Sequence, residues 1–211
     1  MDEARAGQVT GTHDWTREVD VDHLARIRRD PAEFAPGGVG HLILEVVAYA
    51  ADEAEYAGGG RCTVTLHADG SVSVADDGRG TAVRFDEGGQ PVRKPVMSTK
   101  DLRFFDLPDA QLLADGHPRR GISVVAALSE WLVHTNRRQE GAWTQRYEHG
   151  VPATGLLPAG VAEATGTTVR FRPDEELRAA GLPAIAELAL LTASSPQLTV
   201  EVAVEDGGRR S

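Results

Sequence analysis

Two groups of residues have the types and spacing that chemistry asks for. The first is Asp76-Asp77-Gly78-Arg79-Gly80. A carboxylate where a strand ends, followed by glycines, suits a site where a ligand comes close to the backbone; the same residues also read as an acidic turn. The second is Glu45 with Tyr49. Residues four apart on a helix share one face, one turn from each other. A carboxyl group with an ordinary pKa of about 4 would lie beside a phenol of about 10. Burial raises both, which leaves a general base next to a proton or hydrogen-bond donor. Such a pair can drive proton shifts, ring closures or eliminations without a metal.

These residues need elements to hold them. Thr63 to His67 and Ser71 to Val74 alternate polar and apolar residues, and Ala68-Asp69-Gly70 between them is a hairpin signal. The second strand runs straight into Asp76. A helix from about Val39 to Ala57 carries Leu42, Val46 and Ala50 as one apolar stripe, and Gly58-Gly59-Gly60 ends it. Val21 to Arg29 reads as a short helix capped by Asp20 or Asp22 and stopped at Asp30-Pro31. Gly121 to Ser129 reads as a buried helix. Strands are expected at 131–135, 143–148, 167–172 and 198–204, with a polar turn over 136–141 between the first two. Helical signal falls at 173–180 and 183–191, and a short helix is expected from Pro108 to Leu113. This order gives an α+β fold, a two-layer α/β sandwich whose mixed sheet carries helices on one face. Residues 1–22 read as a loosely ordered arm that Trp15 could anchor, 23–205 as one domain and 206–211 as a tail.

Composition narrows the function. The chain is 41% hydrophobic and 26% charged over 211 residues, enough for one domain with a sizeable core. A net charge of −10 makes its general surface a poor match for DNA. No apolar run is long enough for a membrane and no signal peptide is visible. Cys62 is the one cysteine, so no internal disulfide forms, and a cytoplasmic location is expected.

Four separated segments now agree in order and spacing: the run His41 to Ala54, the hairpin through Gly80, Tyr147-Glu148-His149-Gly150, and Thr165 to Phe171. Together they closely resemble the ATP-binding domain of the DNA gyrase B protein, a member of the GHKL group with its Bergerat fold. The buried helix Gly121 to Ser129 resembles the gyrase G-V-S-V-V-N-A-L-S almost residue for residue. The resemblance covers roughly 24–204. It implies that Asp76 accepts a hydrogen bond from an adenine amino group, that Gly78 lets the base approach, and that Thr167 assists through a water. It implies that Glu53 and Arg79 pair at the pocket mouth, that Glu45 is the catalytic base, and that Thr81 to Asp115 stands where a lid covers the phosphates.

The departures fall at the phosphate end. Tyr49 stands where the family's magnesium-binding Asn belongs, and a phenol is a poor ligand for a cation that wants compact oxygens in octahedral geometry. Gly116-His117-Pro118-Arg119-Arg120-Gly121 replaces G-L-H-G-V-G; Pro118 has no amide donor, so Arg119 and Arg120 would have to meet an anion by side chain. Thr144 takes the place of the family's pocket Arg, with Arg146 two residues along. The lysine-bearing second domain and the DNA-cleaving parts of that family are not expected here.

The resemblance so modified implies a stand-alone domain with an adenine-type pocket. It would bind a nucleotide or other small ligand with little or no ATP hydrolysis and would not be a topoisomerase. ATP or ADP is a possible ligand, no cofactor is required, and magnesium is not expected. A monomer or weak dimer follows, with no direct DNA binding and no membrane partner. Alternatives are a repurposed metal-independent cyclase, isomerase or lyase using Glu45 and Tyr49, of the kind found in secondary metabolism; a genuine ATP-binding protein; and a pocketless interaction protein. Tyr49 could equally be a plug in a dead nucleotide site.

Overall fold

The alternation read from the sequence becomes one large sheet. The computed structural model describes residues 19–82, 84–89, 91–92, 95–107, 109–160, 164–193 and 195–205; Trp15, most of the expected arm and the expected tail lie outside them. The strands are β1 (Gly60–Leu66), β2 (Val72–Asp76), β3 (Arg84–Phe85), β4 (Pro91–Val92), β5 (Ser129–Arg138), β6 (Gly141–Glu148), β7 (Val151–Pro152), β8 (Leu157–Pro158), β9 (Gly166–Pro173) and β10 (Leu198–Val204). The main sheet runs β10-β1-β2-β9-β5-β6-β7, with β8 also on β6, while β3 and β4 pair apart from it. Only the β1–β10 pairing is parallel in that order. The sheet is therefore mixed.

The helices are α1 (Val21–Arg29), α2 (Pro31–Phe34), α3 (Gly38–Ala57), α4 (Ile122–Ala127), α5 (Glu175–Ala179) and α6 (Ile185–Thr192). Asp20 caps α1 by accepting the His23 N–H at 3.1 Å, as expected. Gly58 closes α3 in the left-handed conformation. The first half of α3 is buried on all sides, from Val39 to Val47. A helix buried all round belongs inside a protein: α3 packs on β1 and β2 and against α4, α5 and α6, while α4 and α6 also reach the sheet themselves, so the helices form one layer. Leu42, Ile43, Val46, Val47, Ala50 and Ala54 share one core with Cys62, Val64, Val72, Val74, Leu132, Val169 and Phe171 from the strands. The result is an α+β, two-layer sandwich of the GHKL type.

Several boundaries differ from the sequence reading. β5 runs on to Arg138, because Asn136 and Arg137 pair with Trp143 and Ala142 across the hairpin as well as with β9. The expected six-residue turn shrinks to Gln139-Glu140. α4 stops at Ala127, and Ser129 opens β5 instead. No helix forms at 109–113; Leu112 pairs with Pro118 in an isolated bridge. The segment 95–106 makes a short 3-10 turn at Pro95–Met97 and then turns, burying Phe104 and Phe105. Phe105 stacks on Phe34 with ring centroids 5.6 Å apart and meets His23 edge-on at 4.4 Å.

Among the described glycines, Gly166 leaves the least room for a side chain. Its φ is +138° and an added Cβ would lie 2.0 Å from the Asp76 carbonyl oxygen. Gly166→Ala is therefore expected to lower stability by more than about 2 kcal/mol, seen as a lower urea midpoint at unchanged slope. Gly155, where an added Cβ meets nothing within 4 Å, should tolerate alanine within about 0.5 kcal/mol.

Candidate functional site

One face of α3 carries Glu45, Tyr49, Asp52 and Glu53; the first three hold the segment 119–122, and Glu53 holds the loop at Arg79. Glu45 is fully buried and accepts the backbone N–H groups of Arg120 at 2.5 Å and Gly121 at 2.9 Å. Burial nonetheless pushes its carboxyl up to about 7, because the two amides and nearby Arg119 offset only part of the desolvation. His41, one turn earlier, has Nε2 3.6 Å from Glu45 and Nδ1 2.7 Å from Asp115. Burial lowers the His41 pKa, so the interior favours the neutral forms of both His41 and Glu45.

Tyr49 does not bond to Glu45. Its hydroxyl donates to Asp101 at 2.9 Å and accepts from the Ile122 N–H at 3.3 Å. Burial first, and the Asp101 charge second, raise its pKa. Asp101 is itself buried; desolvation pushes its carboxyl up, but the Arg103 side chain and amide outweigh that and hold it below the usual range. Arg119 is fully buried as well. It grips Asp52 with two bonds, at 3.0 and 2.8 Å, and reaches Gln111 at 3.2 Å. Its guanidinium lies 4.0 Å over the Phe104 ring and 4.7 Å from the Tyr49 ring. The side chain expected to meet an anion is thus turned inward and paired. Arg120 reaches the Phe105 ring at 5.9 Å. Gly121, at φ +100°, keeps space beside Asp101 and the Tyr49 hydroxyl that a Cβ would fill.

The other end lies around the end of β2. Asp76 Oδ1 accepts the Gly78 N–H at 2.9 Å and the Thr167 N–H at 3.3 Å. Burial raises its pKa against those two bonds. A Cβ on Gly78 would come within 2.7 Å of Glu53 and 2.9 Å of Asp76. Arg79 binds Glu53 through Nε at 2.6 Å and Nη2 at 2.9 Å, and stacks on Tyr56 at 4.1 Å. The expected Glu53–Arg79 pair therefore forms. Both side chains are partly solvent-facing, so the pair shapes the loop more than it stabilises the fold.

A cleft of about 130 Å³ opens here, lined by Ala50, Glu53, Ala54, Asp76, Gly78 and Arg79 among others. Thr165 lines it, whereas Thr167, Glu45 and Tyr49 do not. This cleft reaches Asp76, while at the other end Glu45 and Tyr49 are engaged by the chain around Asp101 and Arg120 to Ile122. Thr144 and Arg146 are not brought to the site. On β6, Gln145 and Tyr147 face the core, so Thr144 and Arg146 face the opposite side of the sheet. There Thr144 bonds Thr135 at 3.1 Å and Arg146 lies 5.1 Å from the Trp131 ring.

Sequence reasoning misses Asn136 and Arg138. Asn136 grips Thr81 with two bonds of 2.8 Å, and Arg138 donates to the Gly80 carbonyl at 2.8 Å. Both fix the loop after Asp76. They fall in the stretch that reads as a turn, where polar residues carry no signal. Asp101, Asp52 and Asp115 escape it too, because an acid paired with a buried side chain looks like any other acid in a sequence.

The sandwich, its topology and the Asp76 loop define the class: a GHKL-type domain. No protein-family model matches the chain. Comparison with curated proteins gives the DNA topoisomerase 4 B protein of Staphylococcus epidermidis, 33% identical over 162 residues, 74% of this chain and 24% of that protein. The DNA gyrase B protein of Mycolicibacterium smegmatis is 37% identical over 161 residues, with the same coverage of 74% and 24%. The chloroplastic/mitochondrial gyrase B protein of Nicotiana benthamiana is 32% identical over 209 residues, 88% of this chain and 28% of that protein. The chain belongs with the N-terminal GHKL ATPase domains of the gyrase B and topoisomerase 4 B proteins, and spans about a quarter of the length of these relatives. Among the described residues, no helix is long and apolar enough to cross a membrane.

Glu45 yields a pH prediction. Its folded pKa of about 7 stands above the ordinary value of 4.5. The folded carboxyl keeps its proton where the unfolded one has lost it, so its contribution falls as pH rises from about 4.5 to about 7, then levels off. The stability of wild type minus that of Glu45→Gln should drop by roughly 3 kcal/mol across that window, measured by urea unfolding at a series of pH values. Taking the difference removes the opposing contribution of His23, whose pKa burial lowers to about 4.

Proposed function

We propose that this chain is a ligand-binding GHKL domain. Its cleft takes the ring of a nucleotide or another small planar molecule, and it turns over little or no ATP and is not a topoisomerase. The observation that carries this reading is the division of the site. At the open end both bonds to Asp76 use Oδ1, which leaves Oδ2 for a donor on the ligand such as an exocyclic amine. The cleft of about 130 Å³ is below the roughly 300 Å³ at which ligand pockets begin. It suits one planar ring better than a whole nucleotide.

At the other end, magnesium and a polyphosphate do not fit the residues present. The Tyr49 hydroxyl is engaged by Asp101 and Ile122, and the first amides before α4 are engaged by Glu45. Arg119 is paired with Asp52, so the arginine substitution that would support a genuine ATP-binding protein is spent inside the fold. The acid–base reading gains little: Glu45 is fully buried, and Tyr49 bonds Asp101 in its place.

Calorimetry with adenosine and ADP, with and without magnesium, tests the proposal. We expect binding of similar strength in both conditions, weakened about ten- to a hundredfold by Asp76→Asn, as loss of a charged hydrogen bond predicts. Magnesium-dependent ATP turnover that is abolished by a chelator and by Glu45→Ala would sink it.

A further inference from the structure

The sheet has a second face, turned away from the helices and the cleft. Alternation decides which residues reach it. Cys62, Val64 and Leu66 on β1, and Val72 and Val74 on β2, are buried toward the core. Thr65, His67 and Ser73 therefore point the other way, Thr65 and Ser73 standing opposite one another in register. Glu205 follows β10 by one residue, and its N–H bonds the Leu66 carbonyl at 2.9 Å. Three strands thus bring three chemistry-bearing side chains to one point.

There, His67 Nδ1 lies 2.5 Å from Glu205 Oε2, and His67 Nε2 lies 2.5 Å from Ser73 Oγ. A carboxylate only accepts, so Nδ1 carries the hydrogen; in the neutral ring Nε2 then offers its lone pair to the Ser73 hydroxyl. This is the order of roles in a serine–histidine–carboxylate triad, which is recognised by geometry rather than by fold or sequence position. His67 is 12% exposed, Glu205 59%, and Ser73 is half-buried. The base is shielded and the nucleophile can still be reached. Arg170 pairs with Ser73 on the neighbouring strand. Ser71 holds its Nε at 3.1 Å and Asp69 its Nη2 at 3.2 Å, which fixes a cation beside the nucleophile.

We propose that Ser73, His67 and Glu205 form a nucleophilic site that accepts a short acyl group from an ester or thioester with an anionic leaving part. Ser73 Oγ bonds the acyl carbon as its proton passes to His67 Nε2. The bond to the leaving oxygen or sulfur then breaks, and His67 returns the proton to it. Water, deprotonated by the same nitrogen, releases the acid and restores Ser73. Glu205 holds the ring and steadies its charged form. Arg170 meets the negative charge of the leaving part. Thr65 and Arg170 flank Ser73 on this face of the sheet, and the acyl group proposed is one small enough to lie between them.

The test uses the full chain. A serine-directed fluorophosphonate should label Ser73, located by peptide mass mapping. Hydrolysis of a nitrophenyl acetate bearing a sulfonate on the leaving group should exceed that of the uncharged ester. Above the buffer rate, it should fall about a hundredfold in Ser73→Ala and His67→Gln, in line with loss of general-base catalysis. It should fall about tenfold in Glu205→Gln, and Arg170→Gln should remove the preference for the sulfonated ester. Ser73→Ala removes a single oxygen from the outer face of the sheet, so it decides the matter even if His67→Gln fails to fold. Labelling elsewhere, no labelling, or hydrolysis within twofold of wild type in Ser73→Ala overturns the proposal.

Discussion

The bonds from Glu45 to the amides of Arg120 and Gly121 are the joint on which the rest of the site depends. A carboxyl group wholly inside a protein needs partners, because an unpaired buried polar group costs free energy comparable to a lost hydrogen bond or more. Here the partners are main-chain donors, so the side chain fixes a backbone path. That path carries the chain into α4 and places Arg119 where it can reach Asp52, and Ile122 where it can reach Tyr49. Residues 45, 49 and 52 follow helical spacing on one face of α3. The three rungs therefore clamp one short segment, 119–122, and the segment 101–105 closes over the top through Asp101 and Phe104.

This makes the charge pattern of α3 coherent. Burying Arg119 without Asp52, or Asp101 without Arg103, would leave an uncompensated charge in a poorly solvated place. Both are instead bidentate pairs, the geometry in which guanidinium and carboxylate interact most strongly. The aromatic rings of Tyr49 and Phe104 cover the Arg119 guanidinium. One end of the site is thereby filled by interactions that stabilise one another.

How much of this is legible in the sequence depends on whether a signal is local. The β1–β2 hairpin, α3 and β10 announce themselves by period and by turn residues, and they form where expected. Asp76 and Gly78 are legible because a strand running into an acid and a glycine is a local pattern. Thr144 and Arg146 fail together: residues two apart on a strand share a face, and a match in sequence to a family position does not say which face of β6 that position takes. Asn136 and Arg138 fail because polar residues near a hairpin look like turn. Partners such as Asp101 for Tyr49, 52 residues away, are set by packing alone, which no window of sequence contains.

The retained residues around Asp76 need a similar separation of causes. Gly78 has no room for a side chain between Glu53 and Asp76, and Gly166 none beside the Asp76 carbonyl. Both would be required by the fold with or without a ligand. The Glu53–Arg79 pair likewise pins a loop to α3. Retention of these residues therefore carries little weight on its own for a working pocket. What structural need does not explain is a carboxylate whose two bonds fall on one oxygen at the wall of a cleft, with burial raising its pKa. A purely structural Asp would gain by spreading its acceptor oxygens over more donors. On the function proposed above, leaving one oxygen for the cleft lowers stability slightly in exchange for a recognition group, and such local departures from the most stable arrangement are where function is most often found.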